Sequence, residues 1–313
     1  MLDEVMVEER AGDPITGLKW THKSLRKIQE ALEQAGYLVS LPTISRLLQE
    51  QDYSLQVNHK RLAGKQSGGR DQQFGYIVRW RQAYLRRGWP VISVDTKKSE
   101  LVGNFKNPGR EWRQQRREVN IYDFLSLAQG KAIPYGIYDL GRNEGFVSVG
   151  TSHDTPAFAI AAIRTWWLKM GQIVYPGQKH LLIEADCGGS NGNRSRALKM
   201  GLQNLADEFE LIITVTHYPT GASKWNPIEH RMFNLISANW AGKPLHSYET
   251  ILNYIRTTTS STGFCCQAEL DTAVYETGVK ISNQAFARLH LRPHKRFPYW
   301  NYTVYPRTSK TPA

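Results

Sequence analysis

At 313 residues, 41% of them hydrophobic, the chain can bury a core in two domains, or in one large domain with an appendage, which excludes wholesale disorder. Lys and Arg number 40 against 28 Asp and Glu, a formal net charge of +12 that favours a polyanionic partner through counterion release, although a merely basic soluble protein has the same balance. No apolar run approaches the roughly 20 residues that span a bilayer, the opening MLDEVMVEER lacks a secretory pattern, and three cysteines make no disulfide framework, so a cytoplasmic, reducing setting without membrane contact is expected.

The N-terminal stretch reads as helical. Thr21 can cap a helix over about 22–35, with Leu25, Ile28 and Leu32 at helical spacing and Gly36 as its stop. Ser40 can cap a second helix over about 42–51 that carries Ile44, Leu47 and Leu48 on one face. Two short helices about a tight turn fit a helix-turn-helix, and equally an ordinary helical hairpin. The basic segment from Asn58 to Arg70 reads as a linker that could follow a phosphate backbone. A third helix runs from about Asp71 to Arg87, with Phe74, Ile77, Val78 and Tyr84 apolar and Arg79, Arg81, Arg86 and Arg87 on a solvated face.

From Trp89 the pattern becomes alternating strand and helix. Pro90 to Val94 is an apolar strand that runs into Asp95, with return strands expected at Leu101 to Phe105, Ile133 to Tyr138 and Phe146 to Val149. Asp154 is read as the cap of a helix with Pro156 in its first turn, its apolar side Ile160, Ile163, Trp167 and Met170, and its stop Gly171. Leu181 to Ile183 forms a strand that ends at Asp186, followed by a helix from about Arg194 to Phe209 and a strand from Leu211 to Thr216. A polar loop leads to a last core helix near Asn226, and the tail mixes a helix over about 248–257 with short extended pieces and an aromatic, basic end. This order predicts an α/β fold, a mixed sheet with helices on its faces.

Three acids fall where such a sheet concentrates chemistry: Asp95 and Asp186 at the ends of strands, and Glu229 in the first turn of the last core helix. If the strands before Asp95 and Asp186 are neighbours, the two carboxylates lie side by side and the helix turns Glu229 toward them. Like charges so close raise each other's pKa, and divalent cations relieve the repulsion. Oxygen-only ligands select Mg²⁺ or Mn²⁺, and two such ions can drive in-line phosphoryl transfer. Taken singly, each acid has a simpler role, in a turn after a strand or at a helix dipole.

The motifs VISVDTKKSELVGNFKNPGREW (91–112), GKAIPYGIYDLGRNEGFVSVG (130–150), LLIEADCGGSNGNRSR (181–196) and SKWNPIEHRMF (223–233) are long and specific. Through them the stretch from Trp20 to Pro306 resembles the DDE transposases of the ISAzo13 insertion-sequence family. The resemblance implies a ribonuclease-H-like fold, with Asp95, Asp186 and Glu229 as catalytic and metal-binding residues and two Mg²⁺ or Mn²⁺ ions as cofactors. It implies strand cleavage at element ends and strand transfer, with double-stranded DNA (terminal inverted repeats and target) as partner and a homodimer or larger assembly to hold two ends. The expected organisation is a helical DNA-binding region and linker at 1–88, a catalytic core at 89–240, and an extension packed on the core at 241–313. A further DNA-binding segment is expected upstream of the one present, and Cys187 stands where a glycine is expected. Two rival readings are a decayed element that only binds DNA and a nuclease of the same fold without strand transfer.

Around the acids, Lys97, Lys98, Lys106, Arg110, Arg113, Arg194 and Arg196 could hold phosphates or form a solvated basic surface. Trp225 could stack on a base, with a core contact the expectation, and His217 either touches substrate or closes its turn. His290 and His294 have a zinc-like spacing without a cysteine pair, and Gly188 to Gly192 lacks a nucleotide-loop pattern, so neither is expected to bind. The Trp166–Trp167 pair is expected to pack in the core.

Overall fold

The computed structural model describes residues 10–12 and 19–21, as backbone strands, and 24–51, 53, 69–111, 114–222 and 225–307 in full. Most of the predicted basic linker lies outside these residues. The chain divides into two compact units, Met1–Ala63 and Gly64–Ala313.

In the smaller unit, β1 (Arg10–Gly12) pairs antiparallel with β2 (Lys19–Thr21). Thr21 therefore ends a strand, and the cap of α1 (Leu25–Gln34) is Ser24, whose hydroxyl accepts from the Lys27 amide. The hydroxyl satisfies one of the first-turn amides that a helix leaves unbonded. Gly36 reverses the chain with a φ of +87°, and α2 (Leu41–Glu50) begins after Ser40 with Pro42 in its first turn. Ile28 and Leu32 of α1 and Ile44 of α2 form a small core, as helical spacing predicts.

The larger unit is built on one nine-stranded mixed sheet. It contains α3 (Arg70–Arg86), β3 (Val91–Thr96), β4 (Glu100–Val102), β5 (Gly130–Asp139), β6 (Glu144–Gly150), α4 (Pro156–Trp166), β7 (His180–Ala185), α5 (Arg196–Phe209) and β8 (Ile212–His217). There follow a π-turn (Glu229–Phe233) continued by α6 (Asn234–Asn239), then α7 (Tyr248–Arg256), β9 (Cys265–Asp271), α8 (Asn283–Ala287), β10 (Leu291–Pro293) and β11 (Asn301–Val304). The strand order is β10-β11-β8-β7-β3-β5-β6-β9, with β4 paired to β5. The central strands β3, β7 and β8 are parallel, and β5 runs against β3. The extended pieces of the tail join the sheet, β9 beside β6 and β11 beside β8.

Alternation along the strands separates two faces. Ile92, Val94, Leu181, Ile183, Ala185, Ile213 and Val215 pack under α4 and α5, with Phe158, Trp166 and Leu202 filling the layer. The opposite face receives α6 and α7 over Tyr138, Val147 and Val149, and α3 over Val91 and Leu182. α3 thus belongs to the larger unit. Its Arg81, read from sequence as solvated, forms a bidentate pair with the buried Glu184 of β7 at 2.8 and 2.5 Å, while Val78 is left 41% exposed.

One close approach requires a glycine. Gly136 of β5 pairs with Asp95 in register, and a Cβ there would stand 2.5 Å from Phe233 and 2.8 Å from Met232. A bare backbone at this position lets the π-turn that begins with Glu229 settle against the sheet beside β3.

Candidate active site

β3 and β7 set the first two acids. Their parallel register pairs Val94 with Ala185, so the residues that follow, Asp95 and Asp186, leave adjacent strands on the same side. Neighbouring strands lie about 4.8 Å apart, which brings the two carboxylates within strong electrostatic reach. Asp95 is buried and its Oδ1 accepts from the Thr96 amide at 2.8 Å. The Asp186 backbone is fixed by His217, whose ring Nδ1 lies 2.8 Å from the Asp186 carbonyl. A carbonyl only accepts, so Nδ1 carries the proton. Burial pushes the His217 pKa down to about 4, which keeps the ring neutral. His217 therefore closes the turn and holds the backbone.

Glu229 is positioned by the residues immediately ahead of it. The Asn226 side chain donates to the Val94 carbonyl at 3.1 Å and accepts from Ser93 Oγ, which in turn accepts from the Ile228 amide at 3.2 Å. Asn226 and Ser93 are both fully buried. This clamp ties the start of the π-turn to the strand residues just before Asp95. Sequence reading marked Asn226 only as a helix start, because nothing local distinguishes a capping asparagine from one that reaches a strand 132 residues away.

Electrostatics follow from the crowding. Burial, then the charges of Asp186 and Glu229, hold the Asp95 carboxyl well above the usual carboxylate range. Burial also raises Asp186, as do the charges of Asp154 and Glu229, against a stabilising Gly188 amide. Burial raises Glu229, partly offset by His230 and Lys97. Asp186 Oδ1 is buried with no hydrogen-bond partner among the described residues. A buried, unsatisfied acceptor is costly. An all-oxygen donor set with an orphaned acceptor and mutual repulsion suits a hard divalent cation. The side chains are neighbours, not a closed shell: among the described residues no three or more Asp, Glu, His or Cys stand close enough together to hold an ion.

Asp154 is the acid that sequence reading misassigned. The cap of α4 is Thr155, whose hydroxyl accepts from the Phe158 amide at 3.3 Å. Asp154 instead accepts from Thr96 Oγ1 at 3.0 Å and contributes a fourth negative charge near Asp186. The run Asp-Thr-Pro offers two capping candidates, and its local chemistry does not choose between them.

The cations sort by what already engages them. Lys97 pairs with Glu100 at 3.0 Å and sits over the Trp240 ring, while Lys98, Lys106, Arg110 and Arg194 are exposed. Arg196 is committed to the tail through Asn283 and the Ile281 carbonyl. Arg113 lies outside the described residues. Lys97 and Lys98 line an open groove of about 640 Å³ together with Glu229 and His230. His294 bonds Tyr76 and Thr303 through its two ring nitrogens, and Trp166 and Trp167 are in the core. Trp225, expected in the core, is 57% exposed.

A search of curated proteins by sequence gives no match. Among solved structures, the chain is similar to the Mos1 transposase paired-end complex with left transposon end, at 14% identity and a TM-score of 0.46, covering 82% of this chain and 69% of that one. It is also similar to the Mos1 mariner paired-end complex with Mn, at 15% identity and a TM-score of 0.43, covering 74% and 65% respectively. The chain thus spans about two thirds of the length of these proteins. Residues 1–306 match the family described as the Rhodopirellula transposase DDE domain, and the chain belongs to that family.

Proposed function

We propose that the protein is a DNA transposase that cleaves strands at the ends of its element and joins them to target DNA. The observation that carries this reading is the convergence of Asp95, Asp186 and Glu229: two acids at the ends of adjacent parallel strands, the third clamped to the same strand through Asn226. Asp95, Asp186 and Glu229 would hold two Mg²⁺ or Mn²⁺ ions, and Asp186 Oδ1 is an acceptor without another partner among the described residues. Bound there, such ions would supply activation of a water or 3′-hydroxyl and neutralisation of charge on the leaving oxygen.

The protein's own groups bind and orient. Lys97 and Lys98 flank the carboxylates and can hold phosphates beside the scissile one. Lys97 is pre-positioned by Glu100 and Trp240, so it loses less freedom on binding than an unrestrained lysine. The N-terminal helices would serve as a helix-turn-helix that reads element ends, and cleaving two ends in one event calls for a homodimer or larger assembly on DNA. A cytoplasmic protein is the setting that fits such work.

The test is Mg²⁺-dependent cleavage and joining of DNA that carries the element's own ends, with Asp186→Asn as control. Joined products that vanish in the variant support the reading. Supplying pre-cut ends with free 3′-hydroxyls separates it from a nuclease, which would cut but leave such ends unjoined.

A further inference from the structure

The turn that follows Asp186 is fastened to two strands and to the Asp186 carboxylate itself. The Gly188 amide donates to that carboxylate. Oδ1 has no partner among the described residues, so Oδ2 takes this bond, and a Cβ on Gly188 would stand 3.1 Å from it. Gly189 reverses the chain in the left-handed conformation, at a φ of +53°. Ser190 Oγ lies 3.3 Å from Thr96 Oγ1 at the end of β3. Asn191 closes the turn, its amide donating to the Gly188 carbonyl at 3.1 Å, and its side-chain Oδ1 accepts from the Tyr135 hydroxyl of β5 at 2.7 Å.

The tie to Tyr135 is the rigid one. Tyr135 and Asn191 are both buried, whereas Gly188 and Gly189 are exposed. The Tyr135 ring packs edge to face on Phe158 of α4, with centroids 5.9 Å apart, and its backbone pairs with Thr96, one residue beyond Asp95. Burial, then the charges of Asp95, Asp154 and Asp186, hold the hydroxyl protonated, so it serves as the donor. Among the described residues no other donor reaches Asn191 Oδ1, and a buried acceptor that loses its donor is costly. The short turn therefore keeps its shape through this bond.

We propose that Tyr135 and Asn191 are positioning residues for Asp186. The Tyr135 hydroxyl holds the Asn191 side chain, the Asn191 backbone holds Gly188, and the Gly188 amide directs one carboxylate oxygen into the turn and leaves Oδ1 open to a cation. Partners one shell out from a ligating carboxylate act through its orientation. The proposal rests on the reading that the three acids hold divalent ions, and adds how Asp186 is kept ready for one.

The test is calorimetric binding of Mn²⁺ alone to the full chain, without DNA, beside melting curves of the metal-free proteins. Tyr135→Phe keeps the packed ring and removes the hydroxyl; it should weaken Mn²⁺ binding about 10- to 100-fold. Tyr84→Phe removes a bond of the same kind, from a buried hydroxyl to Thr214 Oγ1 at 3.0 Å, away from the turn. It should lower the melting temperature by a similar few degrees and bind Mn²⁺ as the wild type does. Added to Asn191→Ala, Tyr135→Phe should weaken binding no further, because the two act through one bond. If Tyr135→Phe does not fold, Asn191→Ala alone decides, with the same expected loss. Wild-type affinity in the Tyr135 and Asn191 variants, an equal loss in Tyr84→Phe, or additive losses overturn the positioning role and leave the metal-site reading standing. A wild-type chain that binds no Mn²⁺, or binds it equally after Asp186→Asn, removes both.

Discussion

Arg81→Met removes the cation that compensates the carboxylate of Glu184, a fully buried side chain on the strand that leads to Asp186. Methionine keeps the length of the arginine stem, so the change is in charge and hydrogen bonding more than in volume. The loss comprises two charge-assisted bonds to Glu184 and one to the Tyr218 hydroxyl at 2.7 Å. Among the described residues, only the Tyr218 hydroxyl, at 2.9 Å, continues to donate to the carboxylate. Breaking a buried pair from one side typically costs about 3–5 kcal/mol, because an uncompensated charge remains inside. Arg81 is 23% exposed, which places the expected loss near the lower end, about 3 kcal/mol. Adding Glu184→Gln removes the stranded charge while an amide keeps the bond to Tyr218, so the double variant should recover about 2 kcal/mol of the loss. Urea unfolding followed by tryptophan fluorescence reports this, since eight of the nine tryptophans lie beyond Ala63. A loss below about 1 kcal/mol, or a double variant no more stable than Arg81→Met, refutes the argument that this pair is effectively buried and fixes α3 on the sheet.

Two further outcomes follow from the site itself. Gly136→Val sets side-chain atoms where Phe233 and Met232 now stand; it should cost about 1–3 kcal/mol in unfolding and, by displacing the turn that begins at Glu229, lower strand cleavage about a hundredfold. Retained cleavage would show that Glu229 does not depend on that close approach. Asp95→Asn should raise the melting temperature of the metal-free chain at about pH 8 by a few degrees, and reduce the stabilisation that added Mg²⁺ gives. The sign follows from a carboxyl that holds its proton more tightly in the fold than in the open chain: the ionised group costs stability at high pH, and the cost disappears as the pH falls through the folded value toward the ordinary carboxylate range. Melting curves with and without Mg²⁺ across that range check it, and an unchanged metal-free melting temperature would contradict the repulsion on which the prediction rests.

Much of the site was readable because its strands announce themselves. Val91 to Val94 and Leu181 to Ala185 are short apolar runs that stop at an acid, and runs of that kind form buried central strands. Their adjacency depended on a topology that sequence could only pose as a condition, and the register of Val94 with Ala185 meets it. What escaped was polar chemistry on buried stripes. Arg81 lies four residues after Ile77, on the same side of α3 as the buried Gln73 and Tyr84, yet a cation at such a position reads as solvated until its partner is known. Gln73 is hidden in the same way by Asn301, which comes from a strand of four residues, between β10 and β8, too short to stand out in the tail. Trp225 failed in the opposite direction, since an aromatic side chain is expected inside and this one is not.

The acids share a further property that bears on how a cation would enter. Their backbones are held firmly, Asp186 through His217, Glu229 through Asn226 and Ser93, and Asp95 within the central strand. Their carboxylates are held less: the Thr96 amide donates to Asp95 and the Gly188 amide to Asp186, but Asp186 Oδ1 lacks a partner and, among the described residues, no three acids close into a ligand set. A side chain on a fixed backbone can reach a new position by rotamer change alone, at a cost of order 0.5–1.5 kcal/mol. Relief of repulsion and of an unsatisfied buried acceptor outweighs that cost. The fold therefore supplies position through the backbone and leaves the last movement to the carboxylates, so the clamp residues Asn226 and Ser93 bear on the site's geometry as directly as the acids they hold.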